Sequence, residues 1–206
     1  LPAGTMNLFA RGLGIPLQLD AALGAFADGI VREVDMASAN GIPFVHQFSI
    51  GMHPELVERR EAMNYSSRLG KMRASLHAAA QTVWNPPRIH VHIELDGAET
   101  IARTSSIGVT NNLFGEGLLP FSEQIPDRGE LGIYVTRAPR RSDVFRFLLH
   151  MAAGRWRSNP QVEIHRSSRA TLTLLDSDKR FRCAIDGELH DLERETEIVC
   201  LPAALK

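Results

Sequence analysis

Apolar and polar positions along the chain follow two periods, and the shorter one dominates. RIHVHIELDGAETIARTSSIGVTNN, residues 88–112, holds two alternating runs on either side of Asp96-Gly97. Alternation puts every second side chain on one face of a strand, and Asp-Gly supplies the backbone of a two-residue hairpin turn. GELGIYVT, QVEIHRSS, ATLTLLD, FRCAIDGE and TEIVCLP read as further strands, with a second hairpin at Asp186-Gly187. IPFVHQFSIGM, residues 42–52, reads as one strand from its β-branched and aromatic content. Strand character is also expected over Ile30 to Val34.

The helical period is confined to four places. Met6 to Leu13 has Phe9 and Leu13 on one side, closed by Gly12 and Gly14, and a second short helix starts at Asp20 and breaks at Asp28-Gly29. A block from Pro54 to about Val83 is interrupted around Ser66 to Gly70 and ends at Pro86-Pro87. In SDVFRFLLHMAAG, Ser142 is the expected cap, Val144, Phe147, Leu148 and Met151 share one face, and Gly154 lies beyond the end. Short strands at regular spacing predict an α+β, mainly β fold: an antiparallel β-sandwich decorated with helices, with a helical insertion at about 54–84.

Composition narrows the function classes. The chain has 206 residues, 44% of them apolar, enough for one good-sized core. A net charge of −1 lacks the basic footprint of a nucleic-acid binder. Cys183 and Cys200 have no metal spacing and fit buried free thiols in a reducing, cytoplasmic setting. No apolar run reaches the roughly 18 residues needed to span a bilayer, so any membrane contact is expected to be peripheral.

Five stretches then occur in a telling order: LPAGTMNLFARGLGIP, VREVDMASANGIPFVHQFSIGM, VTNNLFGEGLLPFSEQIPDRGELGIYV, CAIDGE and EIVCLPAAL. Each is modest alone, but their order and separation resemble the diacylglycerol kinase catalytic family, which includes bacterial lipid kinases and sphingosine kinases. The likeness covers nearly all 206 residues. It implies that residues 1–206 form a single C-terminal lobe beginning at the edge of an ATP cleft. A missing N-terminal ATP-binding domain would carry a Gly-Gly-Asp-Gly-Thr loop, which this sequence lacks. The implied activity is ATP- and Mg²⁺-dependent transfer of the γ-phosphoryl group to the hydroxyl of a diacylglycerol-like or sphingoid lipid. The implied partner is a lipid substrate at a membrane surface, and a homo-oligomer is compatible with the sequence.

The resemblance assigns roles to particular residues. Gly4, Thr5 and Asn7 belong to the nucleotide motif. Unsatisfied N–H groups at a helix start favour a phosphate there, to which Thr5 can add a hydroxyl donor. In IPDRGELGIYV the family pattern places a Mg²⁺ site, for which Asp127, Ile125 and Glu130 are the candidates. Arg128 stands between Asp127 and Gly129, where the family pattern runs directly from Asp to Gly. In Asp186-Gly187-Glu188, Glu188 is the candidate base for the lipid hydroxyl, while Asp186 shapes the turn.

Other features are weighed and set lower. His90 and His92 share a strand face with no third ligand apparent, so a zinc site is not expected. Arg137, Arg140, Arg141, Arg146, Arg155 and Arg157 stand against a single acid, Asp143, with Trp156 inside the run. Such a stretch can rest on anionic headgroups or be a solvated helix face. A non-catalytic lipid- or protein-binding β-sandwich is the alternative function, and a soluble-nucleotide kinase related to NAD kinases is a third reading.

Overall fold

The computed structural model describes residues 1–3, 7–61, 77, 80–82, 84–111, 113–114, 128–138, 140–176 and 181–206. In β4 (Ile89–Leu95), Ile89, Val91 and Ile93 are buried and alternate with half-exposed His90 and His92. The Asp96-Gly97 turn has φ of 47° and 87°, the left-handed pair a two-residue hairpin needs, and returns the chain as β5 (Ala98–Thr104). The same chemistry joins β10 (Arg182–Ile185) to β11 (Glu188–Asp191), with φ of 48° at Asp186 and 93° at Gly187.

The remaining strands are β1 (Val34–Ala39), β2 (Ile42–Phe44), β3 (Gln47–Gly51), β6 (Ser106–Thr110), β7 (Leu131–Thr136), β8 (Val162–Ser167), β9 (Arg169–Leu174) and β12 (Glu195–Leu205). They form two six-stranded sheets, ordered β2-β1-β12-β9-β4-β5 and β11-β10-β3-β6-β7-β8, with every pair antiparallel. Ile50, Ile107, Leu131 and Ile133 from one sheet meet Val91, Ile93, Leu172 and Ile198 from the other in a single core. The expected helix-decorated β-sandwich is what the chain forms. Cys183 and Cys200 are free and buried, as expected.

Strand β7 is buried on both faces because a helix covers its outer side. Tyr134, on that side, packs with Phe114 and Trp156, and Phe147 and Met151 of α4 (Arg141–Ala152) lie against them. Trp156 is therefore only 5% exposed and is not a surface residue of the arginine-rich stretch. Leu148 departs from its expected face and is exposed. Ser142 is not the cap: Arg140 occupies that position, its N–H donating to the Asp143 carboxylate at 3.1 Å. An acid three residues into the helix can satisfy this N–H, so the nearby serine is not needed.

Two expected strands are corrected. Residues 30–33 are not strand, and Ile30 and Val31 are 79% and 82% exposed, with no pairing strand among the described residues. Residues 42–52 are two strands: β2 pairs with β1 in one sheet, while β3 pairs with β6 and β10 in the other. The chain crosses between sheets at Val45-His46. Gly51 then has φ 89°, and a Cβ there would lie 2.2 Å from the Ser105 carbonyl oxygen, so only glycine fits where β3 enters α3 (Met52–Glu61). Of the expected insertion at about 54–84, α3, His77, residues 80–82 and Trp84 are helical, and residues 62–76 lie outside the described set. At the N-terminal edge stand the short helices α1 (Leu8–Gly12) and α2 (Leu19–Ala27). No helix among the described residues is long and apolar enough to cross a membrane.

Candidate functional site

The β10–β11 hairpin is fastened where the chain changes sheets. The Asp186 carboxylate accepts the N–H groups of Val45, His46 and Gln47 at 2.8, 2.9 and 2.9 Å. Its own N–H donates to the Gln47 carbonyl at 2.8 Å. A crossing between sheets leaves backbone donors without a ladder partner, and one ionised side chain satisfies three of them. Asp186 thus shapes the turn, and Glu188 opens β11 on the exposed rim beside it.

Beneath this turn lies a histidine pair. The His46 ring packs at a tilt of 46° against Phe114, ring centres 5.5 Å apart, and burial lowers its pKa, opposed by the Asp186 charge and assisted by His53. His53 Nδ1 lies 2.7 Å from Ser49 Oγ and 3.3 Å from Gln47 Nε2. The arrangement keeps His46 neutral at neutral pH.

A second fastening involves Asp35, which the sequence reading did not single out. It is buried, and the β1–β12 register shifts around it. One carboxylate oxygen accepts Gly129 N–H at 2.6 Å and the other accepts Ala203 N–H at 2.9 Å. Ala203 has φ 52°, a left-handed conformation uncommon for alanine, and the Asp35 bond holds it there. Asn111 Nδ2 donates to the Asp35 carbonyl, while its Oδ1 is buried without a partner among the described residues. An acid inside a strand-like run was the available signal, since buried carboxylates need partners. Cys200 records the surroundings: burial first, then the Asp35 and Glu130 charges, push its thiol up to about 11.

The expected metal residues are placed only in part. Asp127 and Ile125 lie outside the described residues. Glu130 follows Gly129, and its carboxylate is 3.9 Å from Arg166 Nη1 on the neighbouring strand. Among the described residues no three His, Cys, Asp or Glu side chains gather as a metal cluster. The oxygens of Glu130, Asp35 and Asn111 near this turn are hard donors, which is the type Mg²⁺ takes. His92 pairs with Glu99 across the β4–β5 hairpin at 3.2 Å. Of the nucleotide motif, Gly4 and Thr5 lie outside the described residues. Asn7 is the N-cap of α1, left-handed at φ 49°, and its carbonyl accepts Arg11 N–H at 2.9 Å.

Comparison with known proteins gives the frame. A crystal structure of a diacylglycerol kinase from Bacillus anthracis str. Sterne superposes with TM-score 0.70 at 21% identity, over 98% of this chain and 65% of that one. Another crystal structure from the same organism superposes with TM-score 0.73 at 21% identity, over 98% of this chain and 64% of that one. A protein of Synechocystis sp. (strain ATCC 27184 / PCC 6803 / Kazusa), described as uncharacterized, is 33% identical over 111 residues, 54% of this chain and 25% of that protein. The chain thus spans just under two thirds of these structural relatives and a quarter of the sequence relative. Residues 1–39 match the diacylglycerol kinase catalytic domain. Residues 50–206, well over half of the chain, match the YegS C-terminal NAD kinase beta sandwich-like domain, and the chain belongs to that family.

Proposed function

We propose that the chain is the C-terminal lobe of an ATP- and Mg²⁺-dependent lipid kinase, which transfers the γ-phosphoryl group to the hydroxyl of a diacylglycerol-like or sphingoid lipid. Its family membership supports a kinase parent. The observation that carries the reading is the Asp186-Gly187-Glu188 turn, in which three backbone donors lock Asp186 while Glu188 stays exposed on the rim. Phosphoryl transfer needs positioning, charge neutralisation and one carboxylate to orient the attacking hydroxyl. A carboxylate on a rigid turn suits that task, because Glu188 is exposed, its oxygens take no donor among the described residues, and its backbone is fixed.

In this reading Glu188 accepts a hydrogen bond from the lipid hydroxyl. It takes the proton late, as the new oxygen–phosphorus bond forms and ADP departs. When bound, Mg²⁺ neutralises phosphate charge. Asp127, the Ile125 carbonyl and Glu130 are its proposed ligands, and the Gly129 N–H next to Glu130 is held by Asp35. Gly4, Thr5 and Asn7 are the proposed nucleotide contacts.

The test is Glu188→Gln in the full-length polypeptide. This change keeps size and hydrogen bonding but removes the base, so kcat should fall by about 10²- to 10⁴-fold with little change in nucleotide KM. An exposed rim carboxylate supports little of the core, so the melting temperature should hold. Near wild-type kcat would move the base elsewhere, and a collapsed melting temperature would make the residue structural.

A further inference from the structure

Helix α4 turns the wrong side chains to solvent. Val144, Phe147 and Met151 face the sandwich, so at 100° per residue Phe145 and Leu149 point the other way. They are 60% and 54% exposed, with Leu148 exposed on the flank. A surface helix normally puts polar residues there.

The N-terminal end of this apolar row is cationic. Arg141, one turn before Phe145, lays its guanidinium 4.5 Å over the Trp84 ring, and its Nε donates to the Trp84 carbonyl at 2.6 Å. Trp84 remains 66% exposed. Together they line an open groove of about 660 Å³ with Arg88, Arg140, Arg59 and Glu55. Glu55 is paired with Arg59. Arg88 and Arg140 have no ion pair with a described residue. Arg146 extends the positive rim along the helix.

We propose that this side of α4, with the Trp84–Arg141 groove, is the surface on which the protein lies against an anionic lipid bilayer. The proposal rests on the lipid-kinase reading for its biological sense, but not for its geometry. Phe145 and Leu149 enter the headgroup–acyl boundary, to a depth of about 5–10 Å for helices of this kind. Trp84 sits at the interface, where an amphipathic indole is favoured. Arg88, Arg140, Arg141 and Arg146 meet lipid phosphates. Charge complementarity selects the occupant, because an apolar strip rimmed by arginines with no acidic partner among the described residues matches an anionic membrane better than a protein core. The surface differs from the one suggested by sequence, since Trp84 takes the place given there to Trp156.

The full-length polypeptide is tested against vesicles of phosphatidylcholine with and without phosphatidylglycerol. It should sediment with the anionic vesicles at low salt and be released as salt rises. Phe145→Ser with Leu149→Ser, and separately Arg140→Gln with Arg141→Gln, should each weaken partitioning about tenfold. All four residues are exposed, so melting temperatures should not move. Within this lobe Trp84 is exposed and Trp156 buried, so the blue shift of emission on vesicles should be smaller in Trp84→Phe than in wild type. Unchanged partitioning in both double variants, or no binding by wild type at low salt, overturns the proposal. So does a wild-type dimer that Phe145→Ser with Leu149→Ser converts to monomer, which would give this face to a second copy. Phosphoryl transfer to lipid in detergent micelles separates the two claims. Vesicle binding through these residues without any transfer sinks the kinase reading and leaves the surface standing. Transfer with unaltered vesicle binding in the variants does the reverse.

Discussion

Asp186 and Glu188 stand two positions apart on one turn, the first held by backbone donors and the second exposed on the rim. Asp186 is consumed by structure, because its two oxygens accept three amide hydrogens from the sheet crossing at residues 45–47. Replacing it with alanine leaves those donors to find water and frees the turn. Asp186→Ala should destabilise the protein by about 1–3 kcal/mol, visible as a melting temperature lower by roughly 2–12 °C for a domain of this size. An unchanged melting temperature would show that water replaces the carboxylate at no cost. Glu188→Gln is the contrasting prediction: turnover should fall while the melting temperature holds. Asp-Gly marked Asp186 as a turn residue from local pattern, whereas the proposed role of Glu188 rests on the family resemblance. Asp35 was harder to see. Its partners, Gly129 and Ala203, are 94 and 168 residues away. No local pattern announces a bond across that separation.

At the scale of elements, legibility followed the reach of the interactions. The hairpins β4–β5 and β10–β11 could be read because alternation and Asp-Gly turns are local. The break at Val45-His46 could not, because both sides of it are equally strand-like and only the partner strands differ. Helix α4 was placed to within a turn, but its surroundings were not. Trp156 looks like a surface residue among arginines until β7 and Phe114 are brought beside it. There it lies 5.5 Å from Tyr134 and 6.5 Å from Phe114, ring centre to ring centre, sealing the space under α4. Trp156→Ala should therefore cost about 3–5 kcal/mol, as large-to-small changes in packed sites do. Thermal unfolding would check this, and a cost under about 1 kcal/mol would return Trp156 to the surface reading.

For the molecule as a whole, one core joins both sheets, so a charge placed at the sheet crossing should be felt by the entire domain. His46, neutral at neutral pH, would acquire that charge on acidification. Its neighbours are Phe114, the Asp186 carboxylate and His53. Burial dominates and lowers its pKa from the ordinary 6.5. The unfolded chain then binds this proton at a higher pH than the folded one does. Above pH 6.5 neither state holds it, and His46 contributes no pH dependence. As pH falls through 6.5 the unfolded state protonates first, so stability declines with a slope of up to about 1.4 kcal/mol per pH unit. The decline stops once pH passes below the folded pKa. Urea unfolding of wild type and His46→Gln, followed from neutral pH down to about pH 5, isolates the effect as a difference in slope. The variant also loses ring packing on Phe114, so its absolute stability is lower and only the slopes are compared. A flatter curve in His46→Gln is expected. Parallel curves, or a wild type that gains stability on acidification, would mean that Asp186 holds a protonated His46 more strongly than burial expels it.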